Sequence, residues 1–131
     1  MEKMEDAEKR IREIKKEVNE IIYLLERAEK EKEAPEKKKI ETTALYKAKK
    51  LIPDIQMYKD HLETTIEGAK RFKAKISTAK EEDTVKAQKN FLEKYIPFME
   101  KKLVELIHIQ KKLTQKERIK KYVMELKLSK M

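Results

Sequence analysis

Apolar residues recur three and four positions apart along most of the chain, with charged residues filling the gaps. Met4, Ala7, Ile11, Ile14, Val18, Ile21, Leu25 and Ala28 alternate the two spacings without a miss. All eight then lie on one stripe of an α-helix, and the seam predicts a first helix from about Glu2 to Glu33. Glu2, Glu5 and Asp6 sit where the positive end of a helix dipole favours carboxylates. Pairs such as Glu5/Lys9, Glu8/Arg12 and Glu26/Lys30 support the same helix at i,i+4. Between Ile21 and Leu25 every residue is apolar or aromatic, so more than one neighbour is expected to cover that turn.

Pro35 suits the first turn of a helix and disfavours continuation of the one before. A second helix is therefore expected to start there and return antiparallel. Its seam reads Ala44, Ala48, Leu51, Ile55, Tyr58, Leu62, Thr65, Ala69, Phe72, Ile76 and Ala79, passing straight through Pro53. Pro53 is read as a kink or short break. Gly68, beside Thr64, Thr65 and Ala69, forms a small-residue patch that a neighbouring backbone could approach. Ser77 to Thr84 is the expected turn, with Thr78 and Glu81, or Asp83 alone, capping a third helix. That helix carries Val85, Leu92, Ile96, Met99, Leu103, Leu106 and Leu113 on one stripe and Phe91, Tyr95 and Phe98 on a second. It is the most apolar helix, expected to be the most buried and bent at Pro97. Thr114-Gln115-Lys116-Glu117 has the form of a capping box opening a short last helix.

The fold expected is all-α: an antiparallel bundle of three long helices, the second kinked at Pro53 and the third at Pro97, plus a short C-terminal helix, four-helix-bundle-like. Residues 1–131 form a single domain in which 114–131 can serve as a docking arm. Composition agrees. One glycine and three prolines leave too few turn residues for a sheet fold. Charged residues make up 45% of the chain, which suits long helices but also disorder, so the periodicity decides. There is no signal-peptide core in residues 1–20, and the longest apolar run, Ile21 to Leu25, is far too short to span a bilayer. The expected location is a virion or the host cytoplasm. Without cysteine there are no disulfides and no thiolate metal sites. Asn and Gln together number six against a large excess of Lys and Glu, a bias that suits a thermophile.

Candidate chemistry is sparse. Glu105 and His108 have the Glu-x-x-His spacing of di-iron bundles, but such a site needs a second motif and two further glutamates. His61 has Tyr58 at the matching position and stands beside Asp60 and Glu63, a cluster expected on the surface. No nucleophile setting and no phosphate loop is recognisable. The expectation is a non-enzyme with no cofactor, no metal and no catalytic residues.

Charge is more informative. The formal net charge is +9, and it is unevenly spread. Residues 1–33 hold nine basic and eleven acidic groups, net −2, whereas residues 34–80 hold twelve and six, net +6. Residues 114–131 hold six and two, net +4. Lys37, Lys38 and Lys39 occupy a first helical turn, where the dipole opposes them. Lys70, Arg71, Lys73 and Lys75 form a further outward-facing run. These seven are the candidate contacts for nucleic acid or an acidic partner. Aromatic residues are few on these faces, so any nucleic-acid binding is backbone-directed and salt-sensitive. In the last helix Ile119, Tyr122, Val123 and Leu126 make an apolar face flanked by lysines, the candidate docking face for an acidic surface such as that of the first helix.

In length, absence of cysteine, Lys/Ile/Glu bias and the seams Met4–Ala28 and Ala44–Ala79, the chain resembles small structural proteins of viruses infecting hyperthermophilic archaea, of the two-tailed crenarchaeal virus type. The resemblance implies a virion component that packs against copies of itself or other virion proteins, and it carries over no functional residue. The expected function is that of a structural or assembly protein. The alternative is a nonspecific nucleic-acid-binding protein that uses the second helix and the C-terminal segment.

Overall fold

The computed structural model describes residues 1–129. Four helices follow one another: α1 (Met4–Lys30), α2 (Ala34–Ser77), α3 (Asp83–Thr114) and α4 (Glu117–Ser129). No strand occurs among the described residues. The first seam holds throughout α1: Ala7 to Ala28 are all buried, and Met4 packs partly buried against the same core. Glu5 and Asp6 lie in the first turn of α1 and Arg27 and Lys30 in its last, each complementing the helix dipole. Pro35 falls in the first turn of α2, where its missing N–H costs nothing.

Residue pairs across the helices give the order of packing. His61 meets Glu2, Gln56 meets Gln110, Lys70 meets Glu100 and Arg118 meets Glu41. Numbers along α2 fall as those of α1 and α3 rise. Glu2 meets Tyr95, Asn19 meets Lys112 and Glu26 meets Lys116, so α1 and α3 rise together. One apolar cluster joins all four helices, with Ile14, Ile55, Leu106 and Ile119 fully shielded from solvent. α2 is the longest helix. It runs on from His61 to Ser77, past the end of α1, for roughly 24 Å at about 1.5 Å per residue. Alongside α3 it makes a two-helix hairpin that α1 does not cover.

α2 continues through Pro53 without the short break and α3 through Pro97, with both rings exposed. Several expectations fail, each for a physical reason. Phe72 and Ala79 were expected in the seam of α2 but are exposed, while Ile66, off the seam, is buried. Phe72 lies beyond the end of α1, and Ala79 lies beyond the end of α2. Tyr23 points into solvent, so the turn at Ile21–Leu25 is not covered on all sides. On the second stripe of α3, Tyr95 is fully buried, but Phe91 is exposed and Phe98 only half-buried. α3 is not the most buried helix: α1 buries eight of its 27 residues and α3 seven of its 32.

The caps differ too. Glu82, without a side-chain hydrogen bond, is the N-cap of α3, and Asp83 is already its first residue. The Thr78 hydroxyl instead donates to the Lys75 carbonyl at the end of α2. At the last helix no capping box forms. Thr114 is still helical in α3 and its hydroxyl donates to the Lys111 carbonyl, which removes it from the start of α4.

Candidate functional surfaces

The expected basic contacts do not form one face. Lys37, Lys38 and Lys39 are all exposed. Consecutive residues turn by about 100° on a helix, so these three fan around α2 instead of sharing a side. Lys70, Arg71, Lys73 and Lys75 are likewise exposed and spread around the helix. Lys70 is already engaged, 3.2 Å from the Glu100 carboxylate of α3. Arg71, Lys73 and Lys75 make no ion pair among the described residues.

The candidate docking face of α4 is largely occupied by the chain itself. Ile119 is a fully buried core residue, and Val123 packs against the same core. Tyr122 is half-buried with the Lys49 ammonium 5.2 Å from its ring centre. Lys116 lies 3.2 Å from Glu26 of α1, and Arg118 pairs with Glu41 of α2. The basic flank therefore does meet acidic groups, including one on the first helix, but within one molecule. Leu126 stays partly open, and Met124 and Leu128 are well exposed (59% and 67%).

Glu105 and His108 line a shallow groove between α1 and α3 together with Val18, Val104 and Lys112. No group of three metal-ligating side chains comes together there or elsewhere among the described residues. His61, expected in a surface cluster with Asp60 and Glu63, instead joins Glu2, just before α1, at 2.7 Å.

That contact belongs to a junction that the sequence gives no means of finding. The Tyr95 hydroxyl donates to the Glu2 carbonyl, 93 positions away in the chain. Tyr58 stacks on His61 with ring centres 6.0 Å apart, and its hydroxyl is closed off from solvent without a hydrogen-bond partner. Glu2 thus ties the start of α1 to both other long helices. Burial, reinforced by the Glu2 carboxylate, pushes the Tyr58 phenol up to about 12, with Arg10 partly opposing and Asp6 adding to the rise. Burial, and then Glu2, raises Tyr95 as well.

A phenol whose folded pKa lies above its unfolded value near 10 favours the folded state fully below pH about 10. That contribution is lost as pH rises from about 10 to about 12, because only the unfolded chain then releases the proton. Absorbance titration is expected to show Tyr58 and Tyr95 ionising above the ordinary tyrosine range near 10, with stability falling over that window. Tyr58→Phe should remove the window's Tyr58 component and raise stability at pH 7 by about 1 kcal/mol, since it deletes an unpaired buried hydroxyl. A Tyr58→Phe protein less stable than the parent would show that the hydroxyl has a partner.

No family model, curated protein or solved structure matches the chain. Among the described residues no helix is long and apolar enough to cross a membrane.

Proposed function

We propose that the protein is a non-enzymatic structural or assembly protein that works by helix packing, with itself and with other proteins. On this reading the three long helices form an antiparallel bundle, bent at Pro53 and Pro97, that serves as a stiff unit, and α4 both closes the core and offers its outer edge. One observation carries the proposal. Large apolar side chains remain exposed on helices whose own core is already filled: Val104 on α3 and Met124 and Leu128 on α4 are each 59% to 67% exposed. Exposed apolar groups gathered on regular elements suit association better than chemistry. The resemblance to structural proteins of hyperthermophilic archaeal viruses supports a place in a virion, and the Lys/Glu-rich, Asn/Gln-poor composition supports a thermophilic source.

The test is substitution of the outer edge alone. Met124→Lys combined with Leu128→Lys should leave the melting temperature within about 2 °C, because both sites are exposed. Self-association measured by light scattering should weaken by about tenfold. Unchanged association would remove α4 from the assembly surface.

The alternative, a backbone-directed nucleic-acid binder, is favoured by one feature: Lys37, Lys38 and Lys39 are all exposed at the start of α2. Tight binding to duplex DNA that falls steeply with salt and is lost in a triple Lys→Glu variant there would favour that reading.

A further inference from the structure

The stripe of α2 that faces α1 does not stop where α1 stops. Along the shared length Leu51 and Asp54 line one groove with Ile21, and His61 holds Glu2. The same spacing of three and four continues through Thr65, Gly68 and Phe72, beyond Met4, the first residue of α1. The matching stripe of α3 continues from Tyr95 through Phe91, Ala87 and Thr84. Phe72, Ala87 and Phe91 line one apolar groove, and Met1 reaches into it. Phe72 is 38% exposed and Phe91 47%. A Cβ added at Gly68 would meet nothing within 4 Å, so no backbone covers the small-residue patch either. The hairpin end is therefore an extension of the α1 track with no third helix on it. From Ile66 to Ser77 it is roughly 18 Å long, about three helical turns.

Charge indicates what fits there. Where α1 covers the track, lysines on its banks face carboxylates of α1: Lys47 and Lys50 share a groove with Glu17 and Glu20, and Lys116 pairs with Glu26. The uncovered part keeps basic banks. Arg71 and Lys75 on α2 and Lys94 on α3 are exposed and have no ion-pair partner among the described residues. Acids do stand among them, Glu67 on α2 and Glu93 on α3, but residues 64–77 hold four basic groups to one acidic and residues 84–95 three to one; Glu81, Glu82 and Asp83 gather at the turn itself. A second copy docking by the same face would set these basic banks against their like. We propose that the open end of the α2–α3 hairpin docks an acidic amphipathic helix from a partner protein, laid end to end with α1. The inference rests on the assembly reading and names the chemistry of one partner.

The probe is a labelled synthetic helix with leucines at heptad a and d and glutamates at e and g, which cannot pair with itself. A control peptide carries lysines at e and g. Fluorescence anisotropy with the full chain should show saturable binding of the acidic peptide, and the basic control should bind at least about tenfold more weakly. Phe91→Asp and Phe72→Asp, both at exposed positions, should each weaken binding about tenfold with melting temperature unchanged, and Lys75→Glu should weaken it less. If Phe91→Asp proves unstable, Ala87→Glu on the same bank, at an exposed position, replaces it. No binding of the acidic peptide, or equal binding to Phe91→Asp, overturns the proposal. Loss of self-association in Phe91→Asp with peptide binding intact would make the occupant a second copy and also overturn it. Light scattering of the unmixed protein reports separately on assembly, so either idea can fail without the other.

Discussion

Replacing Ile119 by alanine should destabilise the protein by about 2–5 kcal/mol, the usual cost of emptying a fully buried site. At the scale of this chain that lowers the melting temperature by about 10 °C or more. Removing everything after Leu113 should cost at least as much. It strips Ile119 from the core and Val123 from its edge, and it deletes the Lys116–Glu26 and Arg118–Glu41 pairs. The ion pairs add little, since half-exposed pairs contribute about 1 kcal/mol or less; the apolar loss dominates. A helix of 13 residues is marginal alone, so its burial here holds it in place. A truncated chain that melts where the parent does would mean that α4 is a free arm after all.

Leu106 and Ile107 make the second large contrast. They are neighbours of similar size, but Leu106 is fully buried and Ile107 is 39% exposed. Leu106→Ala should cost about 2–5 kcal/mol, and Ile107→Ala about 1 kcal/mol or less. The asymmetry depends on the rotation of α3 about its own axis. Leu106 belongs to the sheltered stripe with Met99 and Leu113, between α1 and α2, while Ile107 is turned by about 100° toward solvent. Equal losses at the two sites would show α3 rotated from this register. Chemical denaturation at constant slope measures both.

These contrasts show where the pattern along the chain was informative. The seam of α1 was legible in full because neighbours cover that helix along its whole length, so three-and-four spacing and burial coincide. The seam of α2 was legible to about Ala69 and again at buried Ile76, but Phe72 between them fits the period and is exposed because α1 has ended. Periodicity reports which residues share a face; it does not report whether anything lies opposite. Thr114 shows a different limit. Its spacing to Glu117 suited a capping box, but the choice between ending one helix and starting another depends on how far α3 continues.

The candidate surfaces were less legible than the fold. Lysine runs stood out in the sequence, yet a run of consecutive residues cannot make one face of a helix, and Lys70 is taken up by Glu100. The Glu2–His61–Tyr95 junction had no local signal, because its members come from the lead-in to α1, from α2 and from α3, and only packing brings them together. The uncovered hairpin end was equally invisible, since it follows from the difference in length between α1 and α2.

Self-association tests the assembly function most directly. Sedimentation equilibrium of the full chain at physiological ionic strength should give an average mass that rises with concentration above the 15.7 kDa of one copy. The rise should persist at high salt, because apolar side chains drive it and charge does not. A mass that stays at one copy over the whole range, together with tight binding to duplex DNA, would contradict the account.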